Sequence, residues 1–301
     1  MKWQDKNSIG FHLINSPVMN NTFELRNLKC KYPSNDLPIL EIDSLDIEEG
    51  SSTFFIGPSG VGKSTILETL GLMNNTVYQE DRNNTVFNFA TSSTPKINML
   101  SLWQKKEGII SDFRNKHLSF IFQNTNLFST LSAYDNISIT AILQGKDKKE
   151  SRKRTQQVVS KILDDVTQDK PINELSGGQR QRIAFARAIV SDFSVLFADE
   201  PTGNLDMGNA NRLMETLKNE TKNRTTIIVT HDINLTLKYA TKIVLIDRVK
   251  REDSDTLYGS INSETIFSKD ELNNKWVNSK DTYSSESLFE LLQHKLYQNL
   301  A

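Results

Sequence analysis

The chain has 301 residues, a single cysteine, and 36 Lys and Arg against 37 Asp and Glu, for a net charge of -1. That length can bury a full α/β core with room for a smaller lobe, and the near balance of charge excludes a global field that would draw the protein onto nucleic acid or anionic lipid. Cys30 cannot form an intrachain disulfide, no apolar run approaches the roughly eighteen residues that span a bilayer, and His12, His117, His231 and His294 are too scattered for a zinc site.

Residues 1–21 carry polar and turn-forming residues around a few hydrophobes and read as a leader. From Thr22 to Tyr32 and from Pro38 to Ile47, alternating apolar residues predict two antiparallel strands joined by Pro33-Ser34-Asn35-Asp36. Glu48-Glu49-Gly50 turns the chain into a third strand, Ser52-Thr53-Phe54-Phe55-Ile56. This strand runs into Gly57-Pro58-Ser59-Gly60-Val61-Gly62-Lys63-Ser64-Thr65 and then a helical stretch. Strand, glycine loop and helix in that order form a phosphate cradle: glycines permit backbone angles that aim successive N–H groups at phosphate oxygens beside a positive helix N-terminus. Lys63 would reach the β and γ phosphates, and Ser64 offers a hydroxyl to magnesium.

Residues 74–94 are rich in Asn, Thr and Ser and read as a strand pair with a loose loop. Leu118-Ser119-Phe120-Ile121-Phe122 is a buried strand ending in Gln123. Helical periodicity from Ala133 to about Val190 predicts a helical lobe inserted between strands, spanning about 124–190. The basic run from Lys146 to Arg154 includes two acids and reads as a solvated helix face.

Two more buried strands, Ser194 to Asp199 and Thr225 to Thr230, flank a helix around Arg212 to Leu217, and a last strand runs from Lys242 to Ile246. This alternation argues a parallel sheet with right-handed crossovers, in which ligands bind at the carboxyl ends of strands. The phosphate loop, Asp199-Glu200 and His231 all fall at such ends. Asp199 can hold magnesium, Glu200 suits a general base, and His231 can donate to a γ-phosphate. A further phosphate-type helix start lies at Ser176-Gly177-Gly178-Gln179. Residues 251–286 read as polar and irregular, after which Leu288, Leu291, Leu292, Leu296 and Leu300 recur at helical spacing, so 251–301 reads as an extension ending in an amphipathic helix packed on its own domain.

Glu174-Leu175-Ser176-Gly177-Gly178-Gln179-Arg180-Gln181-Arg182 resembles the signature motif of the ATP-binding cassette (ABC) family, and residues 22–250 follow that family's landmarks in order. The resemblance implies an α/β P-loop NTPase of RecA-like parallel-sheet core, with an antiparallel β subdomain and an inserted helical subdomain. It assigns Gln123 to the Q-loop, as a metal-shell and catalytic residue, and Asn204-Leu205-Asp206 to the D-loop. His231 becomes the switch histidine, and Tyr32 the aromatic that stacks on adenine. It also implies a homodimer sandwiching two ATP molecules with Mg²⁺, each held by one subunit's phosphate loop and the other's Ser176, Gly177, Gly178 and Gln179.

Phe113 to Gln123 followed by Asn126-Leu127-Phe128 is similar to the lipoprotein-release, macrolide-efflux and cell-division (LolD/MacB/FtsE-like) branch. That branch pairs the ATPase with a four-helix permease bearing a large extracytoplasmic domain, which implies a peripheral protein on the cytoplasmic side of the plasma membrane, with export or extraction of a lipoprotein, peptide or drug-like substrate. The alternatives are a regulatory ATPase signalling through its permease to a cell-wall enzyme, and a soluble cassette protein. The stretch at 74–94, Asp247-Arg248 in place of the usual Asp-Gly, and the extension from 251 depart from the family pattern.

Overall fold

A computed structural model of the chain describes residues 20–78, 84–163, 170–203 and 205–297. Most of the leader, Asn204 of the D-loop and Leu300 lie outside them. In chain order the elements are β1 (Asn21–Cys30), β2 (Leu40–Glu48), β3 (Ser52–Ile56), α1 (Lys63–Leu70), β4 (Val86–Thr91), β5 (Thr94–Asn98), α2 (Met99–Leu102), α3 (Glu107–His117) and β6 (Leu118–Ile121). Next come α4 (Ala133–Leu143), α5 (Lys148–Ile162), α6 (Gly177–Val190), β7 (Val195–Asp199), α7 (Met207–Glu220), β8 (Thr225–Val229), α8 (Ile233–Tyr239) and β9 (Lys242–Leu245). The last are β10 (Asp247–Lys250), β11 (Leu257–Ile261), β12 (Ile266–Asp270), β13 (Lys275–Val277), β14 (Thr282–Tyr283) and α9 (Ser285–Tyr297).

Strands β9, β3, β8, β7 and β6 lie side by side and parallel, as their uninterrupted apolar runs predict. Successive residues of these strands feed two different cores. Phe54, Leu196, Ala198 and Ile228 face one that α6, α7, α8 and α9 close, while Phe55, Val195, Phe197 and Ile227 face the other, closed by β1, β2, β4 and α1. The second layer is a sheet of order β10-β11-β2-β1-β4-β5. Its β1–β2 pair is antiparallel, with Leu25 opposite Leu45 and Leu28 opposite Ile42. Helices α4, α5 and α6 pack on one another as the expected lobe. Their N-caps are legible in the sequence: Ser132 accepts from Asp135 N–H, Asp147 from Lys149 and Glu150 N–H, and Ser176 with Gln179 forms a capping box.

The reading of 251–286 as irregular is corrected: it holds β11 to β14, and the extension is woven into both sheets. Strand β11 pairs in parallel with β2, and β12 pairs antiparallel with β9. Alternation is invisible here because each strand has so few buried residues: Gly259 and Ile261 in β11, Phe267 in β12 and Trp276 in β13. Helix α9 forms as expected and buries Leu288, Leu292 and Leu296 in the first core.

Candidate nucleotide site

The loop between β3 and α1 is built as its glycines require. Gly60 and Gly62 have φ of 77° and 103°, and a Cβ on Gly57 would lie 2.7 Å from the Ile246 carbonyl oxygen. Helix α1 starts at Lys63 with Gly62 as N-cap, no side chain capping it and no acid in its first turn. Its leading N–H groups are therefore placed for an anion, and the loop fits a polyphosphate. Lys63 Nζ donates to the carbonyls of Gly57 and Pro58 at 2.7 and 2.8 Å. Burial pushes its pKa down, against the pull of Glu200 and Asp199 upward.

The acidic end of β7 meets the loop from the neighbouring strands. Glu200 adopts φ 45°, a left-handed backbone for a non-glycine residue, fixed by its N–H donating to Val229 O at 2.9 Å. Its carboxylate lies 2.9 Å from His231 Nδ1 and accepts from Thr230 Oγ1 at 3.2 Å. Glu200, His231, Lys63 and the loop residues Gly57, Pro58 and Ser59 line one cavity of about 360 Å³. Burial, then the neighbouring Glu200 charge, raises the Asp199 carboxyl above its ordinary value, while Lys63 opposes this. A cation beside Asp199 would relieve that cost, and Ser64, exposed in the first turn of α1, could share it. No cluster of three or more His, Cys, Asp or Glu forms a metal site among the described residues.

Other expected residues are distributed around this centre. Tyr32 leans on the flank of α1, donating to Glu68 Oε2 at 2.8 Å with its ring half-buried. Gln123 is exposed just beyond β6 and does not line the cavity. Thr65 lies on the buried face of α1. Ser176 and Gly177 are exposed at the start of α6, where Ser176 N–H donates to Gln179 Oε1 at 2.9 Å. Ser176, Gly178 and Gln179 line a second cavity of about 620 Å³ together with Leu205 and Asn209, apart from the phosphate loop. Asp206 caps α7, accepting from Asn209 N–H at 3.0 Å, and these bonds hold its carboxyl below its ordinary value.

Three contributors escaped the sequence reading. Arg248 lines the phosphate-loop cavity and donates from Nη2 to Ser59 O at 2.7 Å. Leu296 and Tyr297 of α9 line the same cavity. The signal was the Asp247-Arg248 departure, visible as a difference but not as a location.

Residues 40–203 match the ABC transporter family. The macrolide export ATP-binding/permease protein MacB of Mannheimia succiniciproducens is 34% identical over 219 residues, covering 71% of this chain and 32% of that protein, so the chain spans about a third of the length of that relative. The lipoprotein-releasing system ATP-binding protein LolD of Chromohalobacter salexigens is 32% identical over 224 residues, covering 74% of this chain and 86% of that protein. Among solved structures, the dimeric bacterial ABC transporter cassette MJ0796 aligns with a TM-score of 0.62 at 28% identity, over 74% of this chain and 93% of that one. The same cassette has been solved as a dimer in a post-hydrolysis state bound to ADP and Pi. With the phosphate loop, the β7 carboxylates and the signature helix in this arrangement, the chain belongs to the ABC transporter family, as an ATP-binding ATPase subunit of the branch that includes MacB and LolD.

Proposed function

We propose that two copies of this chain close on two ATP molecules and thereby drive a partner membrane permease in export or extraction of a lipoprotein, peptide or drug-like substrate. The observation that carries this reading is the division of the chain into two half-sites. The phosphate loop shares a cavity with Glu200 and His231, whereas the helix start at Ser176 and Gly178 opens on another cavity. One nucleotide cannot use both in a single copy, but two copies facing each other complete two sites. Relatives solved as dimeric cassettes support that arrangement.

Within each site, the loop N–H groups and Lys63 hold the β and γ phosphates, and Tyr32 offers its ring to the adenine. Mg²⁺, when bound, would neutralise phosphate charge, held by Ser64 and Asp199 with Gln123 carried over from the family pattern. Glu200 takes a proton from the water aimed at the γ-phosphorus, giving ADP and phosphate. The positive φ at Glu200 and the bonds from His231 and Thr230 fix its carboxylate in one orientation before substrate arrives. An imidazole that keeps its Nδ1–H on Glu200 offers a second N–H to phosphate only when both ring nitrogens carry protons. Hydrolysis removes the γ-phosphate contact shared by the two copies, so the dimer opens.

No helix among the described residues is long and apolar enough to cross a membrane. In this reading the motor acts on the bilayer through a four-helix permease bearing a large external domain, peripherally on the cytoplasmic side. Purification of the tagged chain from native membranes in mild detergent, with mass spectrometry of bound proteins, tests this. A stoichiometric permease of that kind supports the proposal; recovery from the soluble fraction without any membrane protein refutes it.

A further inference from the structure

The phosphate-loop cavity carries more positive charge than the motifs account for. Around it, Asp199 and Glu200 bring two carboxylates to face the single Lys63 ammonium. An entering triphosphate adds further negative charge, which Lys63 and one Mg²⁺ at Ser64 and Asp199 would offset only in part. Arg248 supplies a second side-chain cation. It stands at the start of the β10–β11 hairpin, opposite Gly259, and its guanidinium reaches back over the phosphate loop to Ser59 O at 2.7 Å. That contact uses one of the five N–H donors of the fork. Arg248 lines the same cavity as Lys63, Glu200 and His231, so its fork has donors to spare for a phosphate bound there.

The arginine's position is set by its neighbours. Asp247, the preceding residue, accepts from Lys295 Nζ of α9 at 2.6 Å, which ties the hairpin to the last helix. Leu296 and Tyr297, from the end of that helix, form the cavity wall beside it. Arg248 and Lys63 line one cavity of about 360 Å³, which places both cations on one ligand volume.

We infer that Arg248 is a second phosphate-binding cation of the nucleotide site, contacting the terminal phosphate of ATP and so favouring ATP over ADP. This rests on the phosphate-loop reading given above. A charge-assisted hydrogen bond to phosphate corresponds to roughly tenfold or more in affinity.

The test is calorimetric titration of the full chain, with Mg²⁺, using a non-hydrolysable ATP analogue and ADP. The variants are Arg248→Met, Arg248→Gln, which keeps a donor for Ser59 O without the charge, and Arg248→Lys. The expected result is a loss of about tenfold for the analogue in Arg248→Met and Arg248→Gln, a loss below about twofold for ADP, and partial recovery in Arg248→Lys. Equal losses for both nucleotides would overturn the inference, because the arginine would then act only by holding the phosphate loop. Unchanged affinity for the analogue would overturn it as well. Lys63→Ala separates the two levels: if it spares nucleotide binding, the phosphate-loop reading fails, and if it alone abolishes binding, only the role of Arg248 fails.

Discussion

Gly259 offers the sharpest check on how the last fifty residues support the site. It lies in β11, far in sequence from the phosphate loop. A Cβ there would sit 2.1 Å from the Val61 carbonyl oxygen, 2.8 Å from Ile246 Cγ2 and 3.2 Å from Leu40 Cδ1. The nearest of these atoms is backbone of the phosphate loop and cannot rotate away. Gly259→Ala must therefore part β11 from the loop or shift the loop itself, an overpacking cost of about 3 kcal/mol, at the upper end of the usual range. At about 2.1 cal/mol/K of unfolding entropy per residue, a chain of this size loses about 1.6 °C of melting temperature per kcal/mol, so the unliganded protein should melt about 5 °C lower. Nucleotide affinity should fall with it, because Val61 is part of the cradle and Arg248 is the cross-strand partner of Gly259. Gly60→Ala is the comparison: φ there is 77° but nothing lies within 4 Å, so only backbone strain of about 1–2 kcal/mol applies. Differential scanning fluorimetry with and without nucleotide reads both. A Gly259→Ala protein melting within a degree or two of the parent, with parental affinity, would refute the claim that β11 presses on the loop.

Glu200→Gln should retain nucleotide binding, accumulate a dimer with ATP and lose about 10² to 10⁴ in turnover; parental phosphate release would remove Glu200 from the role of base. Ser176→Arg should leave ATP binding by the monomer nearly intact while the ATP-dependent dimer disappears from size-exclusion light scattering, with about 1 kcal/mol of stability lost through the broken cap on α6. A persisting dimer would contradict the two half-sites. Because the Asp199 carboxyl is raised in the folded protein, ionising it opposes folding: the stability it contributes is present below the unfolded value and lost as pH rises through the folded one. Asp199→Asn should accordingly raise the unliganded melting temperature at neutral pH, with the gain vanishing as pH falls below the ordinary aspartate range, while hydrolysis is lost. A variant that melts no higher than the parent at neutral pH would show that burial does not penalise this carboxylate.

The parallel sheet and its ligand end were legible because β3, β7 and β8 are buried on both faces, so each reads as an apolar run closed by a chemically distinctive residue. The helix start at Ser176 was legible too, from the Ser-Gly-Gly-Gln run, and the capping box with Gln179 is what the structure adds. Arg248 was not legible as a site residue: its role depends on the hairpin folding back over Ser59, which no local pattern encodes. Residues 257–277 were misread for a related reason. Their strands are specified by single anchors, Ile261, Phe267 and Trp276, that complete surfaces made elsewhere, and short-range periodicity cannot register such pairing.

Strand β11 also dictates when the molecule can become complete during synthesis. It pairs Gly259 with Leu40 and Ile261 with Ile42, residues from opposite ends of the cassette. Strands β1, β2 and β3 leave the ribosome early, but the edge of β2 and the underside of the phosphate loop remain uncovered until residue 261 has emerged. The nascent cassette must hold an unpaired edge for most of its translation, a high-contact-order closure that slows folding and exposes an interval in which aggregation or chaperone capture competes.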